Sequence, residues 1–329
     1  MAIPIIINIQ KEIMNNSQTR TIEVVPYDHK WPSQFKEVAN EIQKTLGDNC
    51  IEIHHIGSTA IVGIHAKPII DVIPVVKDIL KVDQFNEAMK KLGYIAKGEH
   101  GMPFRRFFQR TSGIAVNVHI FEEDNPEVAR NLAFRDQLNR DPADKEAYAI
   151  LKLQLGLHAN DITDYVLKKD PFVQNIFNKI DFKGLRIVQA LSEHEWQGYR
   201  SIMQDVLFGP IGITFDPQHW TMTAADHYKF VFIEGTKVIG AAMIAFMGEE
   251  DCILRTLAID HYYQNQGFGE KFLKLLIRWA QHQGKKVMYL HSRVDAVRFY
   301  KRHGFTDMSF IDPVCEESNK KCIDLGRFL

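Results

Sequence analysis

The run Gln264-Asn265-Gln266-Gly267-Phe268-Gly269 stands between an apolar stretch, Ile253 to Ile259, and a segment with Phe272, Leu273, Leu276, Ile277 and Ala280 at helical spacing. The stretch is short and partly β-branched, as a buried strand is. Gly284 is placed to stop the helix. Glycines at 267 and 269 let the backbone turn tightly into the helix. They also leave N–H groups aimed outward, where the helix dipole favours an anion. A phosphate or pyrophosphate is therefore the expected ligand group. The run lacks the three glycines and following acidic residue of a dinucleotide fingerprint, and no Gly-Lys-Ser/Thr makes it a P-loop.

A second strand-like run, Val287 to His291, follows the helix, and then Asp295 to Phe305, containing Phe299, Tyr300, Gly304 and Phe305. This series of strand, Gln-x-x-Gly-x-Gly, helix, strand and Phe-Tyr-x-x-x-Gly-Phe resembles the GNAT family of acyl-CoA-dependent N-acetyltransferases over roughly residues 184–329. The resemblance implies acetyl-CoA as cofactor. Its pantetheine arm would pair with the backbone of Leu257, Ala258 and Ile259, and its pyrophosphate with the turn from Gln264 through Glu270. Tyr300 matches the tyrosine that commonly protonates the leaving thiolate; the alternative is a tyrosine packed on the core beside Phe299. For the base, Glu250 in the run Glu249-Glu250-Asp251 is placed to take the amine proton through water, and His291 is the substitute. An acidic run in a turn is otherwise simply solvated. Many members place an asparagine after the second strand, where this chain has Ser292-Arg293-Val294-Asp295, so Ser292 or Arg293 takes that contact with the cofactor arm. Arg298 and Lys301 screen the adenosine phosphate or are solvated. Acceptor selection falls to residues 206–220, where Phe208, Phe215 and Trp220 line an acceptor pocket or merely cover the sheet, and to the tail 315–329. The acceptor is an amine on a small molecule or a protein.

The first half carries His55-Ile-Gly-Ser-Thr-Ala60, then Ala66-Lys-Pro-Ile-Ile-Asp-Val72, Phe134-Arg-Asp136, Tyr148 to Lys152 and Tyr165 to Lys169. In that order they resemble the GrpB (UPF0157) family over about residues 20–178, which implies a nucleotidyltransferase-like fold. Nucleotidyltransferases set a Gly-Ser turn against the triphosphate and hold Mg²⁺ with Asp-x-Asp/Glu on the next strand. Here Gly57, Ser58 and Asp71 are present, but Ile73 stands where the second carboxylate belongs, and Asn117 and His119 where a third might come. Two metals need converging carboxylates, so no metal site is assigned and nucleotidyl transfer is not expected. The polar set of Gly57, Ser58, Lys67, Asp71, Arg105, Arg106, His119, Arg135 and Lys152 is cation-rich and suits a nucleotide or phosphate. The plain alternative is an Asp71–Lys67 ion pair beside an ordinary turn. His54 and His55, adjacent on a strand, point to opposite faces and do not share a metal.

A chain of 329 residues accommodates two domains. The expected fold class is α+β: an arm at 1–20, a nucleotidyltransferase-like α/β domain at 21–180 and a GNAT mixed-sheet domain at 181–329, the boundary falling near Asp181 to Gly184. A net charge of −1 argues against a nucleic-acid partner, and no apolar run suits a membrane span. The four cysteines form no CxxC pair, as in a reduced, cytoplasmic protein. The oligomeric state is left open. Rival readings are a non-catalytic acyl-CoA and nucleotide sensor, and a bifunctional antibiotic-modifying enzyme.

Overall fold

The structure, a computed structural model, describes residues 23–159, 161–313 and 322–329. The arm expected at 1–20 and residues 315–321 of the tail lie outside the described residues. The described chain divides into two compact units. One runs to Arg186 and includes Glu234–Thr236; the other comprises Ile187–Ile233 and Lys237–Leu329. The α+β class holds, with a mixed sheet in each half.

In the N-terminal unit, helix α1 (Trp31–Leu46) buries Trp31, Val38, Ile42 and Leu46 along one stripe and stops at Gly47, whose φ of 54° suits glycine. Strands β1 (Cys50–Ile56) and β2 (Ile69–Val76) follow, then a 3₁₀ turn and α2 (Asn86–Lys91). Next come β3 (Ile95–Ala96), β4 (Arg106–Arg110) and β5 (Ala115–Glu122). The sheet order is β1-β2-β5-β4-β3, with β2 and β5 parallel and the other pairs antiparallel. Period-two alternation gives the sheet two faces. On one, Ile70, Val72, Val76, Phe108, Val118 and Ile120 join the stripe of α1 in the core. The other presents Asp71, Asn117 and His119, with Ile73, Val75 and Phe121 packed by Val128 and Leu132. Those two belong to α3 (Pro126–Arg140), followed by α4 (Pro142–His158), α5 (Ile162–Leu167) and α6 (Asp170–Lys179). Asp141 caps α4 through the N–H groups of Ala143 and Asp144. This fixes the helix that carries Tyr148 and Lys152.

The C-terminal unit is built on a sheet ordered β11-β12-β10-β9-β8-β7-β6. Its strands are β6 (Leu185–Gln189), β7 (His227–Glu234), β8 (Lys237–Met247), β9 (Asp251–Ile259), β10 (Val287–Ser292), β11 (Thr306–Asp307) and β12 (Ile323–Phe328). Helix α7 (Glu193–Ile202) starts at a Ser192–Glu195 capping box. Helix α8 (Phe268–His282) buries Phe272, Leu273, Leu276, Ile277 and Ala280, and α9 is Val297–Arg302. Phe208 and Phe215, candidates for an acceptor pocket, pack instead against the core around Tyr199 and Met203, while Trp220 is half exposed.

Candidate functional site

Two irregularities coincide on β9, the central strand of the C-terminal sheet. Its antiparallel pairing with β8 runs Met243↔Thr256 and then Ile244↔Leu254, so Arg255 is an extra residue, a β-bulge. Its parallel pairing with β10 covers only Asp251, Cys252 and Ile253 against Val287, Met288 and Tyr289. Beyond that point the two strands part. Leu257, Ala258 and Ile259 stay paired to β8 through Ala242, Ala241 and Gly240, which leaves the β10-facing edge of β9 without a ladder partner. Bulges commonly re-aim a side chain next to such openings.

The re-aimed side chain reaches Asp312, with Nη2 donating to Oδ1 at 2.8 Å and Nη1 to Oδ2. Asp312, its side chain only 2 % exposed, also meets His291 Nε2 at 3.0 Å, and His291 Nδ1 meets Asp324 Oδ1 at 2.8 Å. Phe310 stacks on the imidazole with ring centroids 4.6 Å apart. The result is a hydrogen-bonded ladder, Arg255–Asp312–His291–Asp324, across β9, β10 and β12. His291 therefore has both nitrogens engaged by carboxylates. Asp324 is about one-third exposed, and among the described residues its second oxygen has no hydrogen-bond partner. It is the outermost carboxylate of the ladder. Only His291 of this set was legible beforehand, because its partners lie 21 and 33 residues away.

Glu250 stands apart from this ladder. It sits just before β9, largely exposed, and is ion-paired with Lys286. At about 3.3 Å per strand residue it is about 16 Å along the chain from Arg255. Ser292 is buried and donates to the carbonyl of Arg293, and Arg293 is bound to Asp295. The Ser292 hydroxyl hydrogen is thus used within the chain, whereas Arg293, exposed and bonded to Asp295 through Nε and Nη2, keeps Nη1 for a ligand. Lys301 is likewise committed to Asp307.

The turn preceding α8 is braced by its own side chains. Gln264 Nε2 donates to the carbonyl of Ile259 at 2.8 Å and Gln266 Nε2 to that of Tyr262 at 2.7 Å. Asn265 and Gly267 take φ values of 59° and 82°. Gly267 ends the turn as the N-cap of α8 with no side-chain cap, so the first N–H groups of the helix lack an intrahelical partner. Gly269 differs from Gly267: a Cβ there would meet only the Phe299 ring and Ile259, at 3.7–3.8 Å. Glu270 turns along the helix to Lys274, and the cations Arg302 and His303 also hold its carboxyl low. Tyr300, next to the Phe299 that borders this turn, has its hydroxyl pushed up to about 12 by burial. It is a protonated acid at neutral pH.

The polar face of the N-terminal sheet centres on Asp71. Gly57, at φ 68°, lies flat against this carboxylate; a Cβ there would stand 2.4 Å from Oδ2. Asn117 Nδ2 donates to Oδ1 at 2.9 Å, and His119 Nε2 lies 3.8 Å from it. Burial pushes the His119 imidazole down while Asp71 pulls it up. Arg105 is buried between His119 and the carbonyls of Glu99 and His100. Arg106 is not part of this face. One residue along, it points the other way and forks onto Asp83 at 2.7 and 2.8 Å. Arg135 is held by the carbonyl of His55 and by Asp136. Ser58 shares a hydrogen bond with the Tyr148 hydroxyl. Lys67 makes no ion pair with Asp71; it lies over the Tyr165 ring at 3.8 Å. Lys152 donates to the carbonyl of His65 at 2.8 Å. Lys169 joins them over the same Tyr165 ring, at 4.7 Å. It was quoted above only within a motif.

Two mixed sheets, one carrying a cationic face and one a parted central strand above a helix N-terminus, define a two-part α+β protein. The family model for GrpB protein matches residues 21–179, and that for the acetyltransferase (GNAT) family matches residues 189–305. The UPF0157 protein YqkA of Bacillus subtilis is 41% identical over 157 residues, 47% of this chain and 46% of YqkA, so the chain spans about half of that relative. The UPF0157 protein BH1888 of Halalkalibacterium halodurans is 31% identical over 48% of this chain and 82% of its own length. The crystal structure of GrpB from Enterococcus faecalis is 36% identical, covering 48% of this chain and 96% of that one, with a TM-score of 0.45. The chain belongs to the GrpB (UPF0157) family through its N-terminal half, and residues 189–305 of its C-terminal half carry a GNAT-family domain match. Among the described residues no helix is long and apolar enough to cross a membrane.

Proposed function

We propose that the C-terminal half transfers an acetyl group from acetyl-CoA to an amine, and that the N-terminal half binds a phosphate-containing ligand. The observation that carries the first reading is the parting of β9 from β10 at the Arg255 bulge, beside the hydrogen-bonded ladder that ends in Asp324. The free edge of β9 offers backbone groups to the amides of the pantetheine arm. The uncapped start of α8 offers N–H groups to the pyrophosphate. The outer oxygen of Asp324 draws in an ammonium and accepts its proton. The neutral amine then attacks the thioester carbonyl, the C–S bond breaks as Tyr300 protonates the leaving thiolate, and the excess proton on the new amide nitrogen restores the tyrosine hydroxyl.

Two substitutions separate cofactor binding from chemistry. Valine at 267 would have to hold φ near 82°, a strain of about 1–3 kcal/mol for a β-branched residue. Gly267→Val is therefore expected to weaken acetyl-CoA about tenfold or more in calorimetric titration, and Gly269→Ala to leave it within about twofold. A folded wild type that does not bind acetyl-CoA would end this reading. Tyr300→Phe is expected to lower kcat about 100-fold and leave the Kd for acetyl-CoA unchanged. An unaltered kcat in an acetylation assay would remove Tyr300 as the acid.

A further inference from the structure

The N-terminal unit holds a group of charges that acyl transfer does not use. Lys67, Lys152 and Lys169 come from the β1–β2 connection, α4 and the segment after α5. Each feels the field of Asp71, and Lys169 lies close enough to the other two to repel both. Asp71 is the one acid acting on all three, which leaves an excess of two positive charges when all are protonated. None of the three has a carboxylate within ion-pair distance among the described residues. Lys152 is only 1 % exposed, yet its three donors have a single carbonyl acceptor. The hydroxyl of Tyr165, a residue 3 % exposed, is buried with no hydrogen-bond partner among the described residues. Buried donors without acceptors and buried cations without counter-ions are costly, and one ligand would satisfy both.

We infer that Lys67, Lys152 and Lys169 form a metal-independent cage for a phosphate group, either free phosphate or the terminal phosphate of an ester. The inference rests on the phosphate-ligand reading of this half and sharpens it. A phosphate presents several acceptor oxygens and up to two negative charges near neutral pH, matching the excess charge of the cage. Ammonium-to-phosphate hydrogen bonds are of the strong, charge-assisted kind. Asp71 does not present itself to a metal, because Asn117 holds one oxygen and Gly57 packs against the other. Among the described residues no three His, Cys, Asp or Glu side chains gather as metal ligands. Without ligand the cage relieves its repulsion by shedding protons: burial pushes Lys152 down to about 7 and Lys67 to about 8, and lowers Lys169. An incoming anion reverses this, so binding takes up protons. The groups facing the cage are Asp71 and the phenols of Tyr148 and Tyr165, both of which burial pushes up. Neither phenol releases a proton near neutral pH.

The test is calorimetric titration of the full chain at pH 8 with inorganic phosphate, AMP and ATP. Each is run in EDTA and in Mg²⁺, and in two buffers of different ionisation enthalpy. Expected is saturable binding that Mg²⁺ does not change, with net proton uptake, and at least tenfold weaker in Lys67→Met and in Lys169→Met. Both lysines are partly exposed, so these variants should fold. Inorganic phosphate binding as tightly as AMP would mark a site for the free anion; tighter AMP would mark an ester site. Binding that needs Mg²⁺ and is lost in Asp71→Asn would overturn the cage while leaving a phosphate ligand in place. Binding indifferent to both lysines would overturn it too. No binding of any of the three by the folded chain would overturn both readings.

Discussion

Asp324→Asn is expected to lower kcat/KM for acetylation about 100-fold or more, the scale of losing a general base, with the Kd for acetyl-CoA unchanged. The substitution is nearly isosteric, and the amide oxygen can still accept from His291, so the imidazole and Phe310 should stay in place. What disappears is the charge that draws in the ammonium and takes its proton. Asp312→Asn acts differently. It weakens the fork from Arg255 and the contact to His291 without touching the outer carboxylate, so a smaller loss of about tenfold is expected. Glu250→Gln, exposed and paired with Lys286, is expected to leave steady-state kinetics unchanged. Rates across these three variants, with cofactor affinity measured separately, decide the assignment. If Glu250→Gln carries the loss and Asp324→Asn does not, the ladder is merely structural.

Glu250 and Asp324 also show where a sequence stops informing. The elements were legible because their signals are local. The apolar stripe of α1 ends on Gly47, the run from Ile69 to Val76 reads as a buried strand, and Gly267 sits at the start of an amphipathic helix. An acidic residue beside a strand looks equally local, but which end of β9 is left open depends on where β10 leaves it. That is a register between residues more than 30 apart. The Arg255 bulge is likewise a mismatch against β8 that no single segment encodes. Asp312 and Asp324 stand near a tail with no motif, and only the antiparallel pairing of β12 with β10 brings Asp324 opposite His291. In the N-terminal half, grouping Arg105 with Arg106 ignored the two-residue period that sends Arg106 to Asp83. Lys169 escaped because four helices separate it from Asp71 in the chain.

Lys152→Met is expected to stabilise the N-terminal unit at pH 6.5 by about 1–2 kcal/mol while abolishing the phosphate site. The two effects of opposite sign distinguish a ligand residue from a structural one. Near pH 6.5 the folded wild type must either bury an unpaired ammonium or give up its proton, a penalty of several kcal/mol. The bond to the His65 carbonyl returns about 1.5–3 kcal/mol, and methionine fills a similar volume without the charge. The pH dependence follows from the lowered folded-state pKa, about 7, against about 10.4 in the unfolded chain. Below pH 7 the lysine is protonated in both states and its destabilising contribution is fully present. Between 7 and 10 the unfolded chain binds more protons, so wild-type stability rises by at most about 1.4 kcal/mol per pH unit from this group. The methionine variant lacks that rise, and its advantage should vanish by about pH 9, where the neutral amine still serves the His65 carbonyl. Hydrogen exchange of the β2 and β5 amides in the full chain reads this directly. Saturating phosphate should stabilise the wild type by mass action and leave the variant unmoved. A variant less stable than wild type at pH 6.5 would mean that the His65 contact outweighs the buried charge, and that Lys152 is there for the fold.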